Sequence, residues 1–174
     1  FASYRPISIT STTARIIASW TTTHLQSETE QAQLLGAHQM GFRPQRSTTT
    51  AALRVLRELK KAQRTGCGVV LLQYDLARAF DAVEHATVHA VLAAHGVDTG
   101  TRNIVRALYD SAPLCPRLFG RTPLTLRRTA GVRQGCSLSP LLFSLAFEPV
   151  LEAAAAYART QDTELTAYAD DVFT

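Results

Sequence analysis

The chain has 174 residues, 46% hydrophobic and 18% charged, enough apolar side chain for one packed domain and too much for a disordered chain. No apolar run approaches the roughly 18 residues of a membrane span, and no secretory leader is read at Phe1, where the chain begins without Met. Three widely spaced cysteines (Cys67, Cys115 and Cys136) speak against a disulfide framework or a four-ligand zinc site, and the formal charge of +4 does not by itself name a partner.

In chain order, Tyr4-Arg5-Pro6-Ile7-Ser8 reads as extended around Pro6. Residues 12–20 and 28–36 read as two short helices, and Gly41 to Ser47 as a turn-rich loop. A helix is predicted from Thr48 to Thr65, with Leu53, Leu56 and Leu59 on one face and Gly66 just past its end. The apolar run Val69–Leu72, continuing to Leu76, predicts a buried central strand that delivers Asp75 at its end. Helices follow over Val83–His95 and Arg102–Asp110. Residues 114–132 read as a hairpin, with Arg117-Leu118-Phe119 and Leu124–Arg127 as its strands. Ser139 is a suitable N-cap and Pro140 a first-turn proline for a helix to Arg159, which Pro149 should kink or interrupt. Leu165 to Phe173 closes the chain as a hairpin whose tip holds Asp170 and Asp171. Strands interspersed with helices give an α+β layered domain.

The basic residues are 16 arginines and 2 lysines, Lys60 and Lys61. Residues 1–72 carry a net +6 and residues 73–174 a net −2, although 115–133 within the second part is all basic. A cationic half beside an acidic cluster suggests an anionic partner with a cation between them.

Three groups of residues have the makings of chemistry. A carboxylate ending an apolar strand, as Asp75 does, needs a partner, and Arg78 or a helix cap would be the plain one. The adjacent Asp170 and Asp171 repel one another between apolar neighbours. Together the three acids form a hard-oxygen set that could hold two Mg²⁺ ions about 3.5–4 Å apart, the arrangement of in-line phosphoryl displacement. Gly131-Val132-Arg133-Gln134-Gly135 precedes a helix start, where small residues and free amides suit a phosphate or a base edge. Neither a P-loop nor a Rossmann fingerprint is present. His85 and His89 stand at i and i+4 without a third ligand in sequence, and the five histidines suggest no metal site.

Five blocks occur in the order of reverse transcriptase motifs: Tyr4–Ser8, Gly41-Phe42-Arg43-Pro44-Gln45-Arg46-Ser47-Thr48, Asp75-Leu76-Ala77-Arg78-Ala79-Phe80-Asp81-Ala82-Val83, Gly131–Pro140 and Tyr168-Ala169-Asp170-Asp171. The chain resembles the fingers and palm of a reverse transcriptase of the non-LTR (LINE-like) retrotransposon type. Group II intron reverse transcriptases are the nearest competing family. The resemblance implies a right-hand polymerase fold, with fingers over about 1–72, palm with part of the fingers over about 73–174, and an antiparallel palm sheet packed on helices. The thumb is expected to lie outside this chain, so the chain should carry every catalytic residue without polymerising by itself.

By the same resemblance Asp75, Asp170 and Asp171 match the catalytic metal ligands, with two Mg²⁺ ions, or Mn²⁺ in their place, bridging Asp75 and Asp170. Phe80 matches the bulky gate that clashes with a ribose 2′-OH. Gln134 and Gly135 match the nucleotide and template pocket, Arg15 a contact to the incoming triphosphate, and Arg5 and Arg43 finger positions near the template, with a structural role as the alternative for these two. Asp81 is read as ordering its loop. Ser137 stands where the family often has Pro, and Ala77-Arg78 where it often has a basic pair. The implied partners are an RNA template, a DNA primer and dNTP, with no membrane, and the implied location is the nucleus. A catalytically silent RNA-binding remnant and a structural domain of an inactive reading frame are the readings of a different class.

Overall fold

A computed structural model of the chain describes residues 7–66, 68–113, 115 and 125–174. The N-terminal stretch forms one helix, α1 (Thr12–Gln31), where two short ones are expected. Thr21–Thr23, which fall between the two expected helices, are accommodated inside this one. Thr21, Thr22 and Thr23 each donate a hydroxyl to the carbonyl four residues back. Ala18, Thr21, Leu25 and Thr29 then make one continuous buried stripe, so packing overrides weak propensity.

Helix α2 (Thr48–Thr65) begins and ends as expected. The Ser47 hydroxyl accepts the Thr50 amide at 3.2 Å, and Gly66 takes the left-handed conformation just past the end at φ +69°. Its leucine face is only partly covered: Leu53 and Leu56 are exposed, and Ala51 is its one buried residue among those described.

The apolar run after α2 departs most from expectation. Only Gln73–Asp75 forms a strand, β1, and Val69, Val70, Leu71, Leu72 and Tyr74 are all exposed. In the three-stranded sheet of β1, β2 (Thr166–Tyr168) and β3 (Asp171–Phe173), the order is β1-β3-β2, so β1 is an edge and β3 is the centre. A continuous apolar run signals a strand but not its place in a sheet.

Between β1 and β2 lie α3 (Ala79–Ala82), α4 (His85–Ala94), α5 (Thr99–Tyr109) and α6 (Ser139–Thr160). Asp98 caps α5 by accepting the Thr101 amide at 3.0 Å. Much of the expected hairpin over 114–132, including Arg117, Leu118 and Phe119, lies outside the described residues. So do Arg5 and Cys67. In the remainder, Ala130 pairs antiparallel with Glu84.

The core is built on α6. Leu138, Leu141, Leu142, Phe143 and Leu145 pack with Leu92 of α4, Val105 and Tyr109 of α5, and Leu25 of α1. Among the described residues α6 has the length and mean composition of a membrane span, although Glu148 and Glu152 interrupt its apolar run, and half of that stretch is buried within the protein. The helix also runs on through Pro149, which removes one N–H from the ladder. Leu145 and Leu151 on the flanking turns are each 1% exposed, and that burial holds the helix across the gap. Ser139 does not act as the N-cap. It is the first residue of α6, is buried, and bonds the Tyr109 hydroxyl at 2.7 Å. His85 is buried. Asp110 lies between it and His89, at 2.9 Å and 2.8 Å.

Two side-chain contacts join the segment after α1 to the rest. The Arg43 guanidinium makes a bidentate pair with Glu30 (2.8 and 2.7 Å) and donates to the Leu35 and Gly36 carbonyls. His38 lies 3.0 Å from buried Glu148 of α6, whose Oε1 also accepts the Gly36 amide at 2.6 Å. Replacing Arg43 with Ala should cost about 3 kcal/mol in chemical denaturation, and Lys should not rescue it because it lacks the fork. Arg43, chiefly by its hydrogen bond, holds the Glu30 carboxyl below its ordinary value of 4.5. This contribution is therefore full above pH 4.5 and fades as pH falls through the lower native value. Glu30→Gln should flatten the acid limb of a stability–pH curve.

Candidate active site

The acids reach one place through strand pairing. Strand β3 pairs antiparallel with β1 in the register Gln73↔Phe173, Tyr74↔Val172 and Asp75↔Asp171. It pairs with β2 in the register Thr166↔Phe173, Ala167↔Val172 and Tyr168↔Asp171. Asp75 and Asp171 thus stand directly opposite each other, a relation that puts Cβ atoms about 4.5–5.5 Å apart. Residues 169 and 170 form the two-residue turn, so the tip holds Asp170 while Asp171 opens β3. Ala169 adopts φ +57°, a conformation that glycine usually supplies in such turns.

Asp75 is exposed, and Asp170 and Asp171 are half-buried. No basic group lies within 4.0 Å of any of the three among the described residues, so Arg78 does not pair with Asp75. Nor do the carboxylates converge on one point. Among the described residues, the acid and histidine clusters that do so within 4.8 Å are His24–Glu28–Asp98 and His38–Glu148–Glu152. Three like charges without a counter-ion repel, and an all-oxygen set of this kind fits a hard divalent cation.

Phe80 sits beside this sheet on α3. It stacks on Phe143 of α6 with centroids 5.0 Å apart, and Phe42 meets it edge-on at 6.3 Å. Phe42 also touches Tyr168 of β2 at 6.4 Å, so an aromatic row connects the acidic hairpin to the core. The carbonyl of Phe80 accepts the Val132 amide at 2.8 Å, which seats the glycine loop against α3. Gly131 and Gly135 of that loop have φ of +90° and +97°. The Gln134 carbonyl accepts the Ser8 amide at 2.9 Å, and Arg133 lies 5.3 Å over the ring of Tyr109, whose hydroxyl pKa burial pushes up. Asp81 approaches Arg128 at 3.4 Å and helps hold the same loop.

Arg15 is exposed on the first turn of α1. The side chain of Arg43 is turned inward onto Glu30 and carbonyl oxygens. The residue that the sequence reading missed is Gln39, which is fully buried and bonds the turn at Ala169 from 130 positions away. No local pattern signals a contact of that separation.

Comparison with known proteins agrees with the five ordered blocks. The family model described as reverse transcriptase (RNA-dependent DNA polymerase) matches residues 1–174. The chain is 31% identical over 97% of its length to the transposon TX1 uncharacterized 149 kDa protein of Xenopus laevis. It is 27% identical over 97% to the retrovirus-related Pol polyprotein from type-2 retrotransposable element R2DM of Drosophila melanogaster. It is 30% identical over 98% to the probable RNA-directed DNA polymerase from transposon BS of the same fly. The chain spans only 13%, 16% and 19% of these three proteins. Among solved structures, apo telomerase from Candida tropicalis, truncated from its C-terminal domain, matches at a TM-score of 0.59 and 14% identity. That match covers 92% of this chain and 33% of the telomerase chain, and supports the fold.

Opposed like charges across strands cost up to about 1 kcal/mol. In chelator, Asp75→Asn should therefore raise the melting temperature slightly. Mg²⁺ or Mn²⁺ should raise that of the parent protein and leave the variant almost unmoved.

Proposed function

The chain belongs to the reverse transcriptase (RNA-dependent DNA polymerase) family, and on that premise we propose that it carries the catalytic sheet of an RNA-templated DNA polymerase of the non-LTR retrotransposon type. The observation that supports this most is the register Asp75↔Asp171 beside Asp170, with none of the three acids paired to a basic group among the described residues. The family works with divalent metal ions. Here Asp75, Asp170 and Asp171 would hold Mg²⁺, or Mn²⁺ in its place, and the bound ions would activate a primer 3′-hydroxyl and neutralise a leaving pyrophosphate.

The remaining roles fall to the chain's own side chains. Phe80 is fixed by its stack on Phe143, and in this reading it would be the wall that excludes a 2′-hydroxyl and so selects dNTP. The loop with Gln134 and Gly135 lies against α3, where it would line the nucleotide pocket, and Arg15 is free to meet a triphosphate. The fingers assignment of residues 1–72 and the palm assignment of 73–174 belong to the same reading. So does action in the nucleus.

Helix α2 offers the backbone contact. Arg57, Lys60, Lys61 and Arg64 are all exposed on it, with Glu58 its one acid. These cations suit the phosphates of a template or primer strand, which are recognised by shape and charge.

Primer extension on an RNA template with dNTP and Mg²⁺ tests the reading in the full-length protein. Asp170→Asn should lower the rate by about a thousandfold, the effect of losing several kcal/mol of transition-state stabilisation. Extension that survives in the variant, or is absent from a folded RNA-binding parent, would overturn it. Phe80→Val should raise ribonucleotide incorporation relative to dNTP. Arg57→Ala should weaken template binding alike for all sequences and reduce its salt slope by about 1.

A further inference from the structure

The segment His38–Gly41 runs parallel to β2 and is joined to it by backbone bonds. The Ala167 amide donates to the His38 carbonyl at 2.8 Å, and the Met40 amide to the Ala167 carbonyl at 2.7 Å. This places the Gln39 side chain under the hairpin tip. Gln39 is 0% exposed, so each polar atom of its carboxamide needs a partner. All three bonds it makes are to backbone. Its Oε1 accepts the amides of Gly41 at 2.8 Å and Ala169 at 3.0 Å, and its Nε2 donates to the Ala169 carbonyl at 3.3 Å.

The residue so gripped is itself strained. Ala169 sits at φ +57°, where an L residue with a Cβ loses about 1–2 kcal/mol against the right-handed region. Asp170 leaves the sheet from Ala169, and Asp171 owes its place opposite Asp75 to the length of this turn. Gly41 completes the grip, because a Cβ there would run into the Ala169 amide nitrogen and lie 2.9 Å from its Cα.

We infer that Gln39 is a positioning residue for the polymerase reaction. Its carboxamide clamps both backbone groups of Ala169 and thereby fixes the direction of Asp170 and the register of Asp171 against Asp75. The inference rests on the polymerase reading of the site, and it assigns catalytic weight to a side chain that touches neither substrate nor metal.

The test uses the full-length protein with Gln39→Met, which keeps the length and loses every bond, and with Gln39→Asn as the milder variant. Misplacement of reacting groups by about 1 Å can lower rates by about 100-fold. In Gln39→Met, kcat should fall by about 10- to 100-fold while the KM for dNTP and primer–template affinity stay within about twofold. Half-saturation by Mg²⁺ should move to higher concentration, and the Ala169 amide should exchange hydrogen faster. Ala169→Gly in the Gln39→Met background should recover part of kcat, because glycine accepts the turn without the clamp. Should Gln39→Met not fold, Gln39→Asn should show the same pattern at smaller fold-change. A parent that extends primers, with a Gln39 variant that extends as fast and protects Ala169 as well, overturns the inference alone. A parent that extends none overturns the polymerase reading and the inference with it.

Discussion

Two backbone hydrogen bonds, from Ala167 to His38 and from Met40 to Ala167, join the first quarter of the chain to the hairpin near its other end. A hairpin with strands of three residues has little stability of its own. Here it is held on one side by that segment, on the other by β1, and beneath by Leu151 of α6. The segment is in turn fixed by the Arg43–Glu30 fork to α1 and by the His38–Glu148 contact to α6. The placement of Asp170 and Asp171 is therefore a long-range property, built from groups that lie far apart in the chain.

This explains what the sequence disclosed and what it withheld. The acids were legible because three carboxylates among apolar residues need a reason, and the ordered blocks supplied one. Helix α2 was legible because its leucine spacing and the stop at Gly66 are local signals. The buried central strand was misread because Val69–Leu72 shows hydrophobicity but not neighbours, and the sheet placed β3 at its centre instead. Ser139 looked like a cap by spacing, yet the Tyr109 hydroxyl claimed it from another helix. Arg43 was open to a template-side or a structural role in the sequence, and the fold engages its fork internally. Gln39 carried no signal because its partners are backbone atoms 130 positions on.

The charge asymmetry takes on a spatial meaning. Of the positive charge in residues 1–72, Arg43 is buried in an ion pair, and Arg46 and Arg54 donate to the carbonyl of Ala37. Desolvation lowers the pKa of Arg46, without bringing its charge into question at neutral pH. The cations left open to solvent concentrate on the outer turns of α2, away from the fork. Net charge from sequence overstates what is available to a ligand, and the helix face corrects it.

The edge position of β1 has one more consequence. Its outer backbone groups face away from β3, and no named strand among the described residues pairs with them. A strand arriving there would extend the sheet through Asp75 while leaving the turn at Ala169 untouched. The two halves of the carboxylate pair are thus open to separate adjustment, Asp171 through the clamp within the chain and Asp75 through whatever lies along its free flank.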